Sequence, residues 1–230
     1  MTRDAKIASI EKEVEALLKP VTRQIGLNMK AYFRSGGMSI EDAKQITAEL
    51  QFDTIAQEIV DKGEEFIPVA KDRLKSFGKK LKISDESYLV LEATSELNLA
   101  KVLGTRDNVV KSMVAAGIKY NTENITLEQL TQQLEKYIDD FNRYARVEAM
   151  NGVMIFDRTL MHEAYKEAGV EKYFYSGPVG DNRKACEEAL SSPLQSTGWT
   201  MDDVQNSSVD FATGGGFNCR HQFIPMEEGV

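Results

Sequence analysis

Cys186, Cys219 and His221 are the residues on which chemistry can rest in this sequence. The chain has only two cysteines and two histidines among its 230 residues, and three of these four lie in its last quarter. A zinc ion takes four ligands, from thiolates, imidazoles or carboxylates, in a tetrahedron. This group offers three, and Asp181 or a water would complete the set. Cys219 and His221 are two positions apart, so on a strand both side chains face the same way. Two other readings stand beside zinc. In one, the cysteines form a structural pair, as buried thiols or as a disulfide. In the other, cysteine and histidine form a nucleophile pair, although no carboxylate is apparent to orient the imidazole. His162, on a helical stretch, reads as a surface or boundary residue. The triplet Gly214-Gly215-Gly216 does not read as a phosphate cradle, because no Lys-Ser/Thr follows it and no helix begins there.

The elements that must position these residues change character near Gly169. Beyond it, glycine, serine and aromatic residues become frequent and helical periodicity stops. Residues 172–176 read as a short strand, ended by Gly177-Pro178. Asp181 to Leu190 reads as a short helix, and Thr200 to Asp203 as the cap and first turn of another. The glycine triplet leads into a second strand, Phe217 to Met226. The two strands are expected to pair antiparallel, as a small sheet packed on helices.

Before Gly169 the pattern is helical. Ile7, Ile10, Val14, Leu17 and Leu18 repeat at helical spacing until Pro20 interrupts them. Ser39 with Asp42 reads as a helix N-cap, opening a helix that carries Ile46, Leu50, Ile55 and Ile59. Shorter helices are expected at 64–77, 84–103 and 105–116. Thr126 and Gln129 have the spacing of a capping box. Behind it Leu127, Leu130, Leu134, Ile138, Phe141 and Ala145 form the stripe of a long helix, or a bent pair, reaching about Ala168. The fold class is therefore α+β: a mainly helical part at 1–125, then a long helix and a small module with a short antiparallel sheet at 126–230.

Charge narrows the partners. The formal net charge is −8. Residues 1–150 carry 22 basic and 24 acidic groups, and residues 151–230 carry 6 and 12. A protein that coats DNA replaces phosphate counterions with an excess of Lys and Arg, so nucleic acid is not the primary partner. Six basic residues between Lys71 and Lys82 read as a solvated face. No apolar run is long enough to cross a bilayer and the first residues have no apolar signal core, which points to a chain made in a cytoplasm.

Three strings near the end, taken together, resemble a known family. They are Tyr173-x-Tyr175-x-Gly177, Asp181-x-Arg183-x-x-Cys186 and Gly215-Gly216-Phe217-Asn218-Cys219-Arg220-His221. In order and spacing they resemble the C-terminal module of the Mu F-like head morphogenesis proteins, the minor head proteins of bacteriophages. Arg146-Val147-Glu148 stands where that family often has Arg-Thr-Glu. The resemblance covers about residues 140–226. Many members have a second cysteine where this chain has Ala189, a histidine at the place of Gly216, and a final cysteine at the place of His221. The chain is more similar to the branch that reads Gly-Gly-x-Asn-Cys-Arg-His.

The resemblance implies a structural, non-enzymatic protein of the phage head. It would act in assembly at the portal or inner capsid, in several copies per virion, and assist genome delivery in some members. Its partners would be the portal and major capsid proteins, with no membrane and no required cofactor. It also implies that Cys186 and Cys219 lie close together. Glu148, Asp181, Arg183, Asn218 and Arg220 would stabilise the module, the two arginines pairing with the two carboxylates. The rival reading is a Cys–His enzyme or a module that accompanies toxin domains.

Overall fold

A computed structural model describes residues 2–34, 39, 41–42, 45, 51–123, 125–178, 182–217 and 219–226. The described elements are α1 (Arg3–Arg34), α2 (Phe52–Asp61), a 3-10 turn (Lys62–Phe66), α3 (Ile67–Ser76), α4 (Asp85–Thr122), α5 (Leu127–Glu167), β1 (Tyr173–Ser176), α6 (Lys184–Ser191), α7 (Leu194–Thr197), α8 (Met201–Gln205) and β2 (Gln222–Pro225). The strands form one two-stranded antiparallel sheet, so the fold is α+β. Among the described residues no helix is long and apolar enough to cross a membrane. Ile46 and Leu50, expected on the helix after Ser39, lie outside the described residues. The cap itself is present: Ser39 and Asp42 exchange backbone-to-side-chain hydrogen bonds of 2.8 and 3.1 Å.

Two expected helix breaks are absent. α1 continues through Pro20, because Leu18, Val21, Ile25 and Met29 extend the buried stripe of Ile7, Ile10 and Val14 without a change of phase. Proline in a helix interior costs about 3 kcal/mol relative to alanine. Burying one large apolar side chain contributes roughly 1.5–3 kcal/mol, so the stripe outweighs the proline. The helices expected at 84–103 and 105–116 are one, α4. Leu91, Asn98, Val102, Thr105, Val109, Met113 and Ala116 bury one continuous face, and Gly104 costs only about 1 kcal/mol. Ser84 caps it, its hydroxyl accepting from the Ser87 N–H at 3.2 Å. α5 is a single helix, opened by the reciprocal bonds of Thr126 and Gln129 at 2.9 and 3.2 Å.

The chain forms two compact units, divided otherwise than at residue 125. One comprises Ala8–Val60 and Leu97–Met150, the other Met1–Ile7, Asp61–Glu96 and Asn151–Val230. The first is helical. Its core includes Ile10, Val14, Leu18, Phe52, Ile59, Val109, Leu134 and Phe141, with the Phe52 and Phe141 rings 5.8 Å apart. Arg146 belongs here and pairs with Glu11 at 3.3 Å.

The second unit is built around the C-terminal half of α5. From Asn151 to Met161 every residue is buried, including the charged pair Asp157 and Arg158. Asp157 is held by Arg3 Nε at 2.6 Å. α5 ends at Gly169, whose φ of +69° suits glycine. The N–H groups of Gly169 and Val170 close the helix end onto the carbonyls of Lys166 and Tyr165. β1 and β2 then pair Tyr173 with Pro225 and Tyr175 with Phe223, and these four residues point inward. The outer edge of β1 is not left open. Trp199 exchanges backbone hydrogen bonds of 2.9 and 2.7 Å with Tyr173. The Gln195 amide accepts from the Tyr175 N–H and donates to its carbonyl, both at 2.7 Å. These partners occupy the ladder groups that would otherwise recruit a further strand.

Candidate metal centre

Cys186, Cys219 and His221 converge in this second unit from three separate elements. Cys186 is on the first turn of α6. Cys219 follows the glycine turn, and His221 immediately precedes β2. All three are buried. The two sulfurs lie 3.7 Å apart as free thiols, and Cys219 Sγ lies 3.5 Å from His221 Nδ1. One ligand atom from each of the three residues falls within 4.8 Å of the others. Tyr175, from β1, brings its hydroxyl to 3.6 Å from both sulfurs, and its ring stacks on the imidazole with centroids 5.2 Å apart.

The expected strand from Phe217 is shorter than the sequence suggests, because β2 begins only at Gln222. Backbone groups that would have joined a ladder are used otherwise. Arg158 reaches from α5 and donates Nε to the Ala212 carbonyl at 2.5 Å, and Nη1 to the carbonyls of Cys219 and, at 3.4 Å, His221. The Cys219 N–H donates to the Gly216 carbonyl at 3.1 Å. Cys219 and His221 therefore face each other across a turn pinned by a buried guanidinium.

The glycines make the convergence sterically possible. A methyl group on Gly215 would overlap the Cys186 sulfur, and one on Gly177 would overlap the His221 ring. At Gly214, where φ is +61°, it would stand 2.9 Å from Cys219 Sγ. The triplet, expected to lead into the second strand, is thus a close-packed turn against two thiols.

The electrostatics separate the two thiols. Burial pushes the Cys186 thiol up, and the hydrogen bond from Tyr175 only partly opposes it. Burial also acts on Cys219, but the N–H of Gly215, the Tyr175 hydroxyl and the N–H of His221 outweigh it and bring that thiol below its ordinary value. Cys219 is the readier thiolate. Burial, followed by the hydrogen bonds the Tyr175 phenol donates to both sulfurs and by their charges, raises that phenol and keeps it a neutral donor.

Of the other residues singled out from the sequence, Arg183 and Arg220 line a cavity together with the cluster. Arg183 is exposed at the N-cap of α6. A methyl group on Gly216 would stand 2.8 Å from its Nη1. Arg220 is exposed, and its backbone carbonyl accepts from Arg3 Nη1 at 3.4 Å. Glu148 belongs to the other compact unit. Asp181 and Asn218 lie outside the described residues. Arg158, Tyr175 and Gly215, which the sequence did not single out for these roles, hold the cluster together. His162 is half-buried, its ring 4.2 Å from that of Phe211.

Both histidines titrate below their ordinary range. For His162 burial is the main cause, partly opposed by the Glu163 charge. For His221 it is again burial, with the Pro178 carbonyl opposing and the Arg158 charge assisting. An unfolded histidine takes up its proton at about pH 6.5, while the folded chain refuses it until lower pH. The unfolded state then binds more protons, so stability rises with pH across this window. It is fully present above about pH 6.5 and declines as pH falls toward the lowered folded values. Urea midpoints measured at descending pH should fall accordingly, and His162→Phe should flatten part of the slope. A midpoint constant through this window would contradict the assignment.

The fold and cluster together define a mainly helical protein with a small two-stranded module closed over two thiols and an imidazole. Comparison with protein-family models, with curated proteins and with solved structures finds no match to the chain.

Proposed function

We propose that the chain is a structural head protein of a bacteriophage, a docking part at the portal or inner capsid that carries out no reaction of its own. One observation supports this reading. The strings that carry the family resemblance are separate in sequence, yet Tyr175, Cys186, Gly215, Cys219 and His221 pack as one knot. A motif that closes on itself serves as a rigid knob, and the long helices then supply the contact surface. On α4, Tyr88, Leu89, Leu97 and Ile118 are exposed, which suits docking through apolar helix faces to portal or capsid subunits. The acidic balance of the chain disfavours DNA as the main partner.

The test uses the full chain, because a cut after residue 125 would sever both compact units. Purified portal and major capsid proteins are each offered to the tagged chain, beside a Leu89→Glu/Leu97→Glu variant. Saturable binding weakened by the variant, with a fixed low copy number in purified heads, is the expected result. Binding to neither protein, together with absence from particles, would overturn the proposal. The Cys–His enzyme reading rests on the Cys219–His221 approach. Its signature would be steady hydrolytic turnover abolished by Cys219→Ala in a folded protein.

A further inference from the structure

We infer that Cys186, Cys219 and His221 are the ligands of a structural zinc ion that locks the C-terminal module. The spacing of the donors carries the inference. A tetrahedral ion with Zn–S bonds of about 2.3 Å sets its two sulfurs about 3.8 Å apart. With a Zn–N bond of about 2.0 Å it sets sulfur and nitrogen about 3.5 Å apart. Two of the three separations here match, at 3.7 Å between the sulfurs and 3.5 Å between Cys219 Sγ and His221 Nδ1, and all three ligand atoms lie within 4.8 Å of one another. A disulfide would hold the sulfurs at about 2.05 Å, and two thiols packed only as small apolar groups need no imidazole nitrogen turned toward them.

The surroundings have the form of a ligand-supporting shell. The Tyr175 hydroxyl stands 3.6 Å from each sulfur, in position to donate to a thiolate. The N–H of His221 also points at the Cys219 sulfur, at 3.4 Å. Such donors stabilise metal-bound thiolates and fix their orientation. Entry is available. A cavity of about 190 Å³ is lined by all three ligands together with Pro178, Asn182, Arg183 and Arg220. Binding releases the two thiol protons to solvent and leaves a site of no net charge, two thiolates against one dication. That neutrality suits a position beside the buried Arg158 guanidinium.

The experiment measures metal in the purified full chain. Metal analysis after refolding with zinc should give one zinc per chain. Cobalt in its place should give the intense visible bands of a tetrahedral site and the near-ultraviolet charge-transfer band of thiolate ligands. Cys186→Ser and Cys219→Ser should lose the ion, and Tyr175→Phe should weaken binding by roughly 10–100-fold, as loss of a supporting group does. If the serine variants fail to fold, the wild-type chain decides. Its two thiols should alkylate slowly with zinc bound and fast after chelation. Three results would overturn the inference: no stoichiometric zinc in folded protein, alkylation indifferent to chelator, or a mass lower by two hydrogens that reports a disulfide. None of them bears on portal or capsid binding, so the two proposals fail separately.

Discussion

Arg158→Met will destabilise the protein by about 3 kcal/mol or more, although it removes no part of the thiol–imidazole cluster. The side chain is 2% exposed. Its guanidinium donates to the carbonyls of Ala212, Cys219 and His221. Methionine fills much of the same volume but offers no donor, so three carbonyls lose their partner inside the unit. Each buried acceptor left unsatisfied costs about 1–3 kcal/mol. Burial is the main influence on the Arg158 charge and works against it, so the residue is retained for its fork of donors and not for easy solvation. Arg158→Lys should recover only a part, because one ammonium cannot reach carbonyls on both sides of the glycine turn. Urea unfolding would show the loss as a lower midpoint with an unchanged slope. A loss below about 1 kcal/mol would mean that the carbonyls find other partners and that the guanidinium does not pin the turn.

Gly215→Ala should cost about 1–3 kcal/mol, the usual range for overpacking, and should weaken metal binding as well. The added methyl group would overlap Cys186 Sγ and stand 3.5 Å from the Cys186 backbone nitrogen. Either α6 retreats or the sulfur rotates, and both change the spacing between the thiols. The cause is steric, since Gly215 is not among the glycines with positive φ. That makes the prediction specific. In Gly215→Ala/Cys186→Ala the methyl group enters the space left by the sulfur, so the double variant should cost less than the sum of the two single variants. Strict additivity would show that Gly215 and Cys186 are not in contact.

What the sequence made legible was short in range. The caps at Ser39/Asp42, Thr126/Gln129 and Thr200/Asp203 all form reciprocal hydrogen bonds, because their partners are three residues apart and need nothing from the rest of the chain. Gly169 marked the end of α5 for the same reason. Pro20 and Gly104 misled because their local cost is visible in sequence, whereas the long buried stripes that override it emerge only when the whole helix packs.

The site divides in the same way. Cys186, Cys219 and His221 stood out by their scarcity and through the family resemblance. Of the residues that hold them, Tyr175 and Gly215 fell within the family strings with no role assigned, and Arg158 fell outside them. Arg158 lies 54 to 63 positions from the carbonyls it binds, and an arginine within a helical stretch reads as solvent-facing. Tyr175 resembled any inward residue of a strand, and Gly215 any residue of a loose loop. Of the expected carboxylate partners, Asp181 lies outside the described residues and Glu148 belongs to the other compact unit.

The order in which the chain is written has consequences for the order in which it can close. The unit formed by Ala8–Val60 and Leu97–Met150 has all its residues once Met150 has been synthesised. The other joins Met1–Ile7 and Asp61–Glu96 to Asn151–Val230, segments synthesised far apart in time. Arg3 has to wait for Asp157, and for the Arg220 carbonyl later still. During translation the N-terminal turn of α1 therefore emerges long before its partners exist, while the helical unit beside it in sequence can already fold. The thiol–imidazole knot cannot close before His221 has been made. Contacts as far separated as those of Arg3 are slow to form, whereas Cys186 waits only for Cys219 and His221 to follow it.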